Sequence, residues 1–145
     1  MLSLRAMTPA DATAVKEMMR VFYASDAVMT NGSDEIFDAD IAACTGDSPF
    51  ADGFILLHDG QTAGYGMIAH SFSTEFGRRC VWIEDIYVLP AHRGCGLASF
   101  FIRHLQACYP DAVFRLEAEE ENENAISVYR RAGFDALPYY EMLCR

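Results

Sequence analysis

Basic residues are scarce in this sequence of 145 residues. Only 11 Lys and Arg stand against 21 Asp and Glu, which gives a formal net charge of -10. Non-specific nucleic-acid binding depends on neutralising phosphates with basic side chains, so the composition argues against a nucleic-acid partner. Long apolar runs are also missing, since no stretch approaches the ~20 residues that a membrane-spanning helix needs. We therefore predict neither a nucleic-acid partner nor a membrane partner.

The cysteine patterns that would indicate a disulfide framework or a zinc site are absent as well. The five cysteines are an odd number, and none belongs to a C-x-x-C pair or a His/Cys cluster, so we predict no metal. The first residues, MLSLRAMTPADA, lack the basic patch and apolar core of a signal peptide. With 52% hydrophobic residues and no repeat or linker, the expectation is one compact domain over residues 1–145 in the cytoplasm.

Hydrophobic spacing and turn residues predict an alternation of strands and helices in the order β-α-α-β-β-β-α-β-α-β. Thr8 can cap a first helix that ends near Tyr23, and Asp59 with Gly60 marks a tight hairpin turn between two apolar strands. The strand-helix-strand order of the second half requires a parallel pair with a crossover helix. The predicted fold is α/β, a mixed sheet with helices on both faces, ending in a last strand over residues 139–145.

The stretch HRGCGLA joins the apolar run VWIEDIYVLP to a helix predicted from about Gly96 to Cys108. A glycine-rich turn at a helix N-terminus presents backbone N–H groups to an anion, and the helix dipole favours negative charge there. A P-loop would need a Lys after Gly96, and a dinucleotide fingerprint would need a third glycine early in the chain, so both are excluded. The stretch indicates either another pyrophosphate-bearing ligand or a plain strand-to-helix turn.

Two motifs in this sequence resemble those of the GNAT superfamily of N-acetyltransferases. IEDIYV followed by LPAHRGCGLASFFI is similar to its acyl-CoA-binding motif, a strand, then Arg-Gly-x-Gly-x-[Gly/Ala], then a helix. Residues 122–129 match the family's Asn-x-x-Ala-(apolar)-x-(apolar)-Tyr, and residues 133–134 supply its Gly-Phe. One departure is Ala91, where the family often has Gln or Arg. The resemblance covers the chain well from about Gly53 onward and implies the GNAT fold, in which two parallel strands splay apart around the pantetheine arm of acetyl-CoA.

The resemblance also implies which residues bind the co-substrate, acetyl-CoA. The backbone amides of Ile86, Tyr87 and Val88 would hold the pantetheine arm. Asn122 would cap its helix and also reach that arm. The phosphate-binding loop and the start of its helix would be formed by Arg93, Gly94, Cys95, Gly96, Leu97, Ala98 and Ser99.

Amide formation from acetyl-CoA needs a neutral amine and a proton donor for the departing thiolate. The family match assigns the donor role to Tyr129, although its spacing also suits a plain aromatic on the apolar face of its helix.

Glu84 and Asp85 are adjacent in an apolar strand, where they should face opposite sides unless a bulge re-aims them. IEDIYV looks like the same strand of diamine and polyamine acetyltransferases, which implies that Glu84 binds the amine and draws off its proton. Asp85 and Tyr23 are further candidate acceptor residues, and an edge-exposed or salt-bridged acid is the alternative for Glu84.

The leading hypothesis is direct acetyl transfer from acetyl-CoA to a small-molecule primary amine, without an acyl-enzyme. A polyamine, a diamine or an amino acid with a side-chain amine is the first guess for the acceptor. Two alternatives stay open: an acetyltransferase for protein or peptide amines or an antibiotic, and a non-catalytic acyl-CoA-binding module. A homodimer is expected by analogy with relatives only.

Overall fold

The described part of the chain forms a five-stranded mixed sheet with helices packed on it. The computed structural model describes residues 1–28 and 32–145. Its elements are β1 (Leu2–Ala6), α1 (Ala12–Tyr23), α2 (Asp34–Thr45), β2 (Ala51–His58), β3 (Gln61–Ser73), β4 (Arg78–Val88), α3 (Leu97–Cys108), β5 (Val113–Leu116) and α4 (Glu123–Arg131). The strand order is β1-β2-β3-β4-β5, with antiparallel pairs except for the parallel pair of β4 and β5. No helix in the described ranges is both long and apolar enough to cross a membrane.

Helices cover both faces of the sheet, as predicted. On one face, Val15 and Met19 of α1 pack with Phe37 and Ile41 of α2 in a buried cluster that includes Tyr65 of β3. The other face packs against α3 and α4. Its cluster is formed by Leu56, Ala63, Ile68, Val81, Ile83, Leu97, Phe101, Ile102 and Leu105. Burial of each large apolar side chain contributes about 1.5–3 kcal/mol, so these two layers hold the sheet in place.

A bulge interrupts β4 where it pairs with β3. Met67 lies opposite Asp85 while Ile68 lies opposite Ile83, so Glu84 is the extra residue of the bulge. On its other side β4 pairs with β5 only as far as Ile83, which faces Leu116, and then continues alone to Val88. Beyond this point the two parallel strands no longer pair. Residues 84–88 of β4 therefore have a free edge on the β5 side, because β5 ends at Leu116.

The predicted last strand is wrong. Residues 135–145 contain no strand, and Tyr140 and Met142 are 97% and 90% exposed, so the segment has no buried face that would fix a strand register. Pro138 also lacks the N–H that a ladder needs. The short strand β5 consequently remains at the edge of the sheet. The alternation of YYEMLCR predicts a strand, but alternation alone does not specify a neighbouring strand with which it would pair.

Candidate active site

The glycine loop between β4 and α3 has a conformation that requires its glycines. Gly94 and Gly96 have φ values of 78° and 87°, in the left-handed region, and a Cβ added to either would meet no atom within 4 Å. Backbone conformation, not crowding, therefore selects glycine here. Gly96 leads directly into α3, whose first amide groups have no intrahelical acceptor. The loop is thus built to present N–H groups to an anion, as a pyrophosphate requires.

Arg93 ties this loop to the end of β4. Its Nε donates a hydrogen bond of 2.9 Å to the carbonyl oxygen of Val88, and its guanidinium carbon lies 5.8 Å from the centre of the Tyr87 ring. The terminal N–H groups of the same guanidinium stay available for an anion. The side chain of Cys95 does not take part in anion binding, because its thiol donates a hydrogen bond of 2.8 Å to the backbone oxygen of His92.

The unpaired stretch of β4 gives a place for an extended ligand. Ile86, Tyr87 and Val88 lie beyond the last β4–β5 pair, so one edge of this stretch offers backbone groups to a molecule that takes the place of a strand. The loop that favours a pyrophosphate begins directly after it. An acyl-CoA, with its pyrophosphate on the loop and its amide-bearing arm along β4, fits these residues.

Asp85 is the centre of a buried hydrogen-bond network on the α1/α2 face of the sheet. Its side chain is only 4% exposed. It accepts one hydrogen bond from the hydroxyl of Tyr23 in α1, at 2.9 Å, and another from Tyr65 in β3, at 2.7 Å. Burial raises the pKa of Asp85 against the opposing effect of the two hydroxyls. Burial and the neighbouring Asp85 also raise the pKa of both tyrosines, which keeps them protonated donors.

Glu84 lies on the same face of the sheet as Asp85, because the bulge re-aims the pair. Alternation from Cys80 through Trp82 places Glu84 on this face, and the bulge brings Asp85 to it as well. Glu84 forms no ion pair with the described residues, so the salt-bridged alternative is not realised, whereas its exposure agrees with the edge-exposed alternative. Partial loss of hydration raises the pKa of Glu84, and the negative charges of Asp85, Asp40 and Glu141 add to this effect.

Two residues of this site were missed by sequence reasoning. Tyr65 stands between glycines in the buried part of β3, and a Cβ at Gly64 would lie 2.1 Å from the carbonyl oxygen of Tyr87. That Gly-Tyr-Gly pattern signals a close approach of backbones around the tyrosine. Asp40 occurs on the same helical stripe as Phe37 and Cys44 in α2, so its position on a buried face was readable from the spacing.

Asp40 yields a prediction about stability. Burial, with the charge of Asp85, raises the pKa of Asp40 to about 6. Its stabilising contribution is present below the unfolded-state pKa of about 3.9 and is lost as pH rises through about 6. Asp40→Asn should therefore raise the free energy of unfolding by about 1 kcal/mol at about pH 8, after discounting for partial exposure, and change it little near pH 4.

Urea unfolding at the two pH values measures this effect. Glu35→Gln is the matched control, since Glu35 is an exposed acid in the first turn of the same helix. That control should give no gain in stability, because its charge favours the helix N-terminus. An equal gain in both variants at about pH 8 would contradict a special environment at Asp40.

The opposite face of the sheet carries Tyr129 and Asn122. Tyr129 of α4 packs on the cluster that contains Ile83, with its ring centre 6.2 Å from that of Phe134, and burial raises its pKa. No hydrogen bond within the described residues involves its hydroxyl. Asn122 caps α4 as expected, its side-chain oxygen accepting from the amide of Ala125 at 3.3 Å. Carboxylates and a tyrosine thus lie on opposite sides of β4, where it separates from β5.

Comparison with known sequences finds one family and several relatives. The sequence model of the acetyltransferase (GNAT) family matches residues 16–134. Thialysine N-epsilon-acetyltransferase of Sus scrofa is 36% identical over 73 residues, which are 48% of this chain and 42% of that protein. Streptothricin acetyltransferase of Streptomyces lavendulae is 35% identical over 79 residues, 52% of this chain and 40% of that protein. The matched region therefore spans less than half the length of these relatives.

Solved structures show the same fold at low sequence identity. A possible acetyltransferase from Clostridium difficile 630 superposes with a TM-score of 0.83 at 15% identity, over 99% of this chain and 97% of that one. AAC(6')-Iy in complex with a bisubstrate analogue, CoA-S-monomethyl-acetylneamine, gives a TM-score of 0.75 at 18% identity, over 99% of both chains. The fold expected from the sequence motifs is confirmed.

Proposed function

The chain belongs to the GNAT family of acetyltransferases, and we propose that it transfers the acetyl group of acetyl-CoA to the primary amine of a small cationic molecule. The observation that carries this proposal is the set of carboxyl groups on the α1/α2 face beside the gap between β4 and β5. Burial raises the pKa of Glu84, Asp85 and Asp40, the charge of Asp85 adds to the effect on the other two, and no ion pair within the described residues neutralises any of them. A cationic amine is the acceptor that such a surface attracts. Relatives named for thialysine and streptothricin support an amine acceptor.

Acetyl-CoA would bind along the loop and the free edge of β4. The backbone amides of residues 94–99 would receive the pyrophosphate, with Arg93 adding its terminal N–H groups. The amides of Ile86, Tyr87 and Val88 would hold the pantetheine arm, and Asn122 would approach it from the start of α4. Bound acetyl-CoA supplies the activated acetyl group that the amine attacks.

The amine must lose a proton before it can attack. A primary alkylamine has a pKa near ~10.4, so at neutral pH almost all of it is protonated. Glu84 would take this proton directly or through a water molecule, and its raised pKa makes it a better base than an ordinary glutamate. Asp85 and Tyr23 would hold the ammonium end beside it. The free amine then forms its C–N bond, and an amide of β4 stabilises the resulting oxyanion.

Collapse of that intermediate breaks the C–S bond and releases a thiolate. Tyr129 would donate its phenolic proton to the sulfur from the α3/α4 side of the gap, so that the thiol leaves neutral, and the second proton lost by the nitrogen would pass through water to restore the phenol. Burial raises the pKa of Tyr129 and keeps the phenol protonated over the working pH range. Acid and base on opposite sides of β4 suit a reaction in which the amine enters from one side and the thiol departs on the other.

The test is the release of CoA thiol from acetyl-CoA with a panel of amines. The panel contains polyamines, diamines, lysine and its analogues, streptothricin, aminoglycosides and short peptides. We expect turnover with small amines and a fall of about 10-fold or more in kcat/KM for Glu84→Gln. Turnover with peptides alone would indicate that the acceptor is an amine of a protein or peptide. Binding of acetyl-CoA without turnover of any amine would favour a non-catalytic module.

Three further properties belong to the proposal. Residues 1–145 would act as one acetyltransferase domain. A cytoplasmic location is supported by the five cysteines, all of which are free. A homodimer is supported by the exposed apolar side chains of Tyr140, Met142 and Leu143, which a partner surface could cover. Light scattering on the purified protein would measure its mass directly.

A further inference from the structure

Two histidines meet beside the glycine loop. His58 is the last residue of β2, and His92 ends the short turn that follows β4. Their Nδ1 atoms lie 3.2 Å apart, within hydrogen-bond distance, and the two ring planes are inclined by 74°. The two residues are 34 positions apart in the chain, so the contact is made by the fold. Neither histidine has a role in the proposed acetyl transfer.

The contact between the rings decides which of their nitrogens carry protons. A neutral imidazole has one N–H, and a hydrogen bond between two Nδ1 atoms uses the proton of one ring. The other ring then holds its own proton on Nε2. With one further proton on the pair, both Nε2 atoms are donors and the pair carries a single positive charge. The pair can therefore present an N–H outward without breaking the bond between its rings.

The two outer nitrogens have different surroundings. Nε2 of His58 lies 3.8 Å from a carboxylate oxygen of Asp59. Nε2 of His92 has no hydrogen-bond partner among the described residues. It is not a buried atom either, because the one buried side-chain nitrogen or oxygen without a partner in the described ranges is Nδ1 of His70. A ligand in solvent can therefore reach Nε2 of His92.

This open nitrogen lies next to the loop that suits a pyrophosphate. His92 precedes Gly94 by two residues, and Arg93 between them keeps its terminal N–H groups available. The thiol of Cys95 donates a hydrogen bond of 2.8 Å to the backbone oxygen of His92, which holds the turn against the loop. Coenzyme A carries a phosphate monoester on the same ribose that bears its pyrophosphate. With the pyrophosphate on the loop, that monoester is one ribose ring away from it, within reach of His92.

Charge adds to this argument. A phosphate monoester carries close to two negative charges at neutral pH. The chain has a formal net charge of -10, so a phosphate needs a local source of positive charge to bind. At this end of the sheet, Arg93 and the histidine pair can supply it. A hydrogen bond from a protonated imidazole to a phosphate is charge-assisted and stronger than a neutral one.

We infer that Nε2 of His92 binds the ribose phosphate of coenzyme A, and that His58 is the positioning residue behind it. The subsite makes the protein select coenzyme A thioesters over thioesters that lack this phosphate. The inference rests on the proposed function in one respect, since the loop must hold the pyrophosphate. His92 acts by binding, and neither histidine touches the reacting atoms.

Coenzyme A and dephospho-coenzyme A provide the test, because they differ by this phosphate alone. Calorimetry on the full chain should show that coenzyme A binds at least about 10-fold more tightly, the value of one charge-assisted hydrogen bond. His92→Phe should remove most of this preference and leave the Kd of dephospho-coenzyme A unchanged. His104→Phe is the matched control, since this imidazole packs on Phe54 about 10 Å along α3 from the start of the helix. It should leave both Kd values unchanged.

Variants of His58 separate positioning from packing. His58→Asn keeps an amide group near the place of Nδ1 that can still hydrogen-bond His92, whereas His58→Leu removes the hydrogen bond. We expect the preference for coenzyme A to persist in His58→Asn and to fall by about 3-fold or more in His58→Leu. Thermal unfolding of both variants shows whether they are folded. An equal preference in the two variants would contradict a positioning role for His58.

The outcomes separate this inference from the proposed function. Equal binding of the two ligands by the wild-type protein overturns the subsite. An equal loss for both ligands in His92→Phe, or a preference that this variant retains, also overturns it. If no amine releases thiol while the preference depends on His92, the proposed function fails and the subsite stands. Absence of binding of either ligand overturns both.

Discussion

Replacing Tyr129 by phenylalanine should lower kcat by about 100-fold or more, with little change in the Kd of acetyl-CoA. General-acid catalysis contributes about 10²–10⁴-fold, and the substitution removes the proton donor while keeping the ring. The ring packs beside Phe134 on the core, so a phenylalanine retains these contacts. CoA thiol release measures the rate, and calorimetry measures co-substrate binding.

Tyr109→Phe is the matched control for this variant. Burial raises the pKa of Tyr109 too, but its ring lies beside His70 and Arg79 at the end of α3. Its removal should leave kcat unchanged. If Tyr129→Phe keeps wild-type kcat, the thiolate obtains its proton elsewhere, and the role assigned to Tyr129 is wrong.

Asp85→Asn should separate activity from stability. We expect a fall of about 30-fold in kcat/KM for the amine, since the variant removes the most buried negative charge beside the acceptor. The free energy of unfolding should not fall, and it should rise at alkaline pH. Burial raises the pKa of Asp85, so its stabilising contribution exists below the unfolded-state pKa of about 3.9 and is lost as pH rises through the folded-state value.

Asp85→Ala is the informative contrast. It leaves the hydroxyls of Tyr23 and Tyr65 without their acceptor, and each unsatisfied buried hydroxyl costs about 1–3 kcal/mol. Thermal and urea unfolding of the two variants at about pH 5 and about pH 8 would measure the difference. If Asp85→Asn keeps the wild-type kcat/KM for the amine, this carboxylate is not part of the acceptor site.

The glycine loop and the caps were predictable because their causes are local. Gly94 and Gly96 adopt backbone angles that other residues avoid, so a strand-to-helix turn reveals them in sequence. Asn122 likewise caps α4 through a contact three residues away. These features depend on neighbours along the chain, and hydrophobic spacing similarly predicted the helices on both faces of the sheet.

The acceptor side depends instead on pairing between distant segments. Whether Glu84 and Asp85 share a face is decided by the bulge against β3, which only the register of Met67 and Ile68 reveals. The partners of Asp85 come from α1 and from β3, at sequence separations of 62 and 20 residues. The absent last strand has the same origin, because alternation does not specify a partner.

By itself, the sequence determined the family, the helix–sheet layers and the anion-binding loop, since short-range spacing and backbone conformation encode them. Only the tertiary structure decided which carboxylates meet, which tyrosines hold Asp85, and that His58 pairs with His92 beside the glycine loop. The physical reason is that strand register and helix docking set these contacts, and both arise from packing summed over the whole sheet.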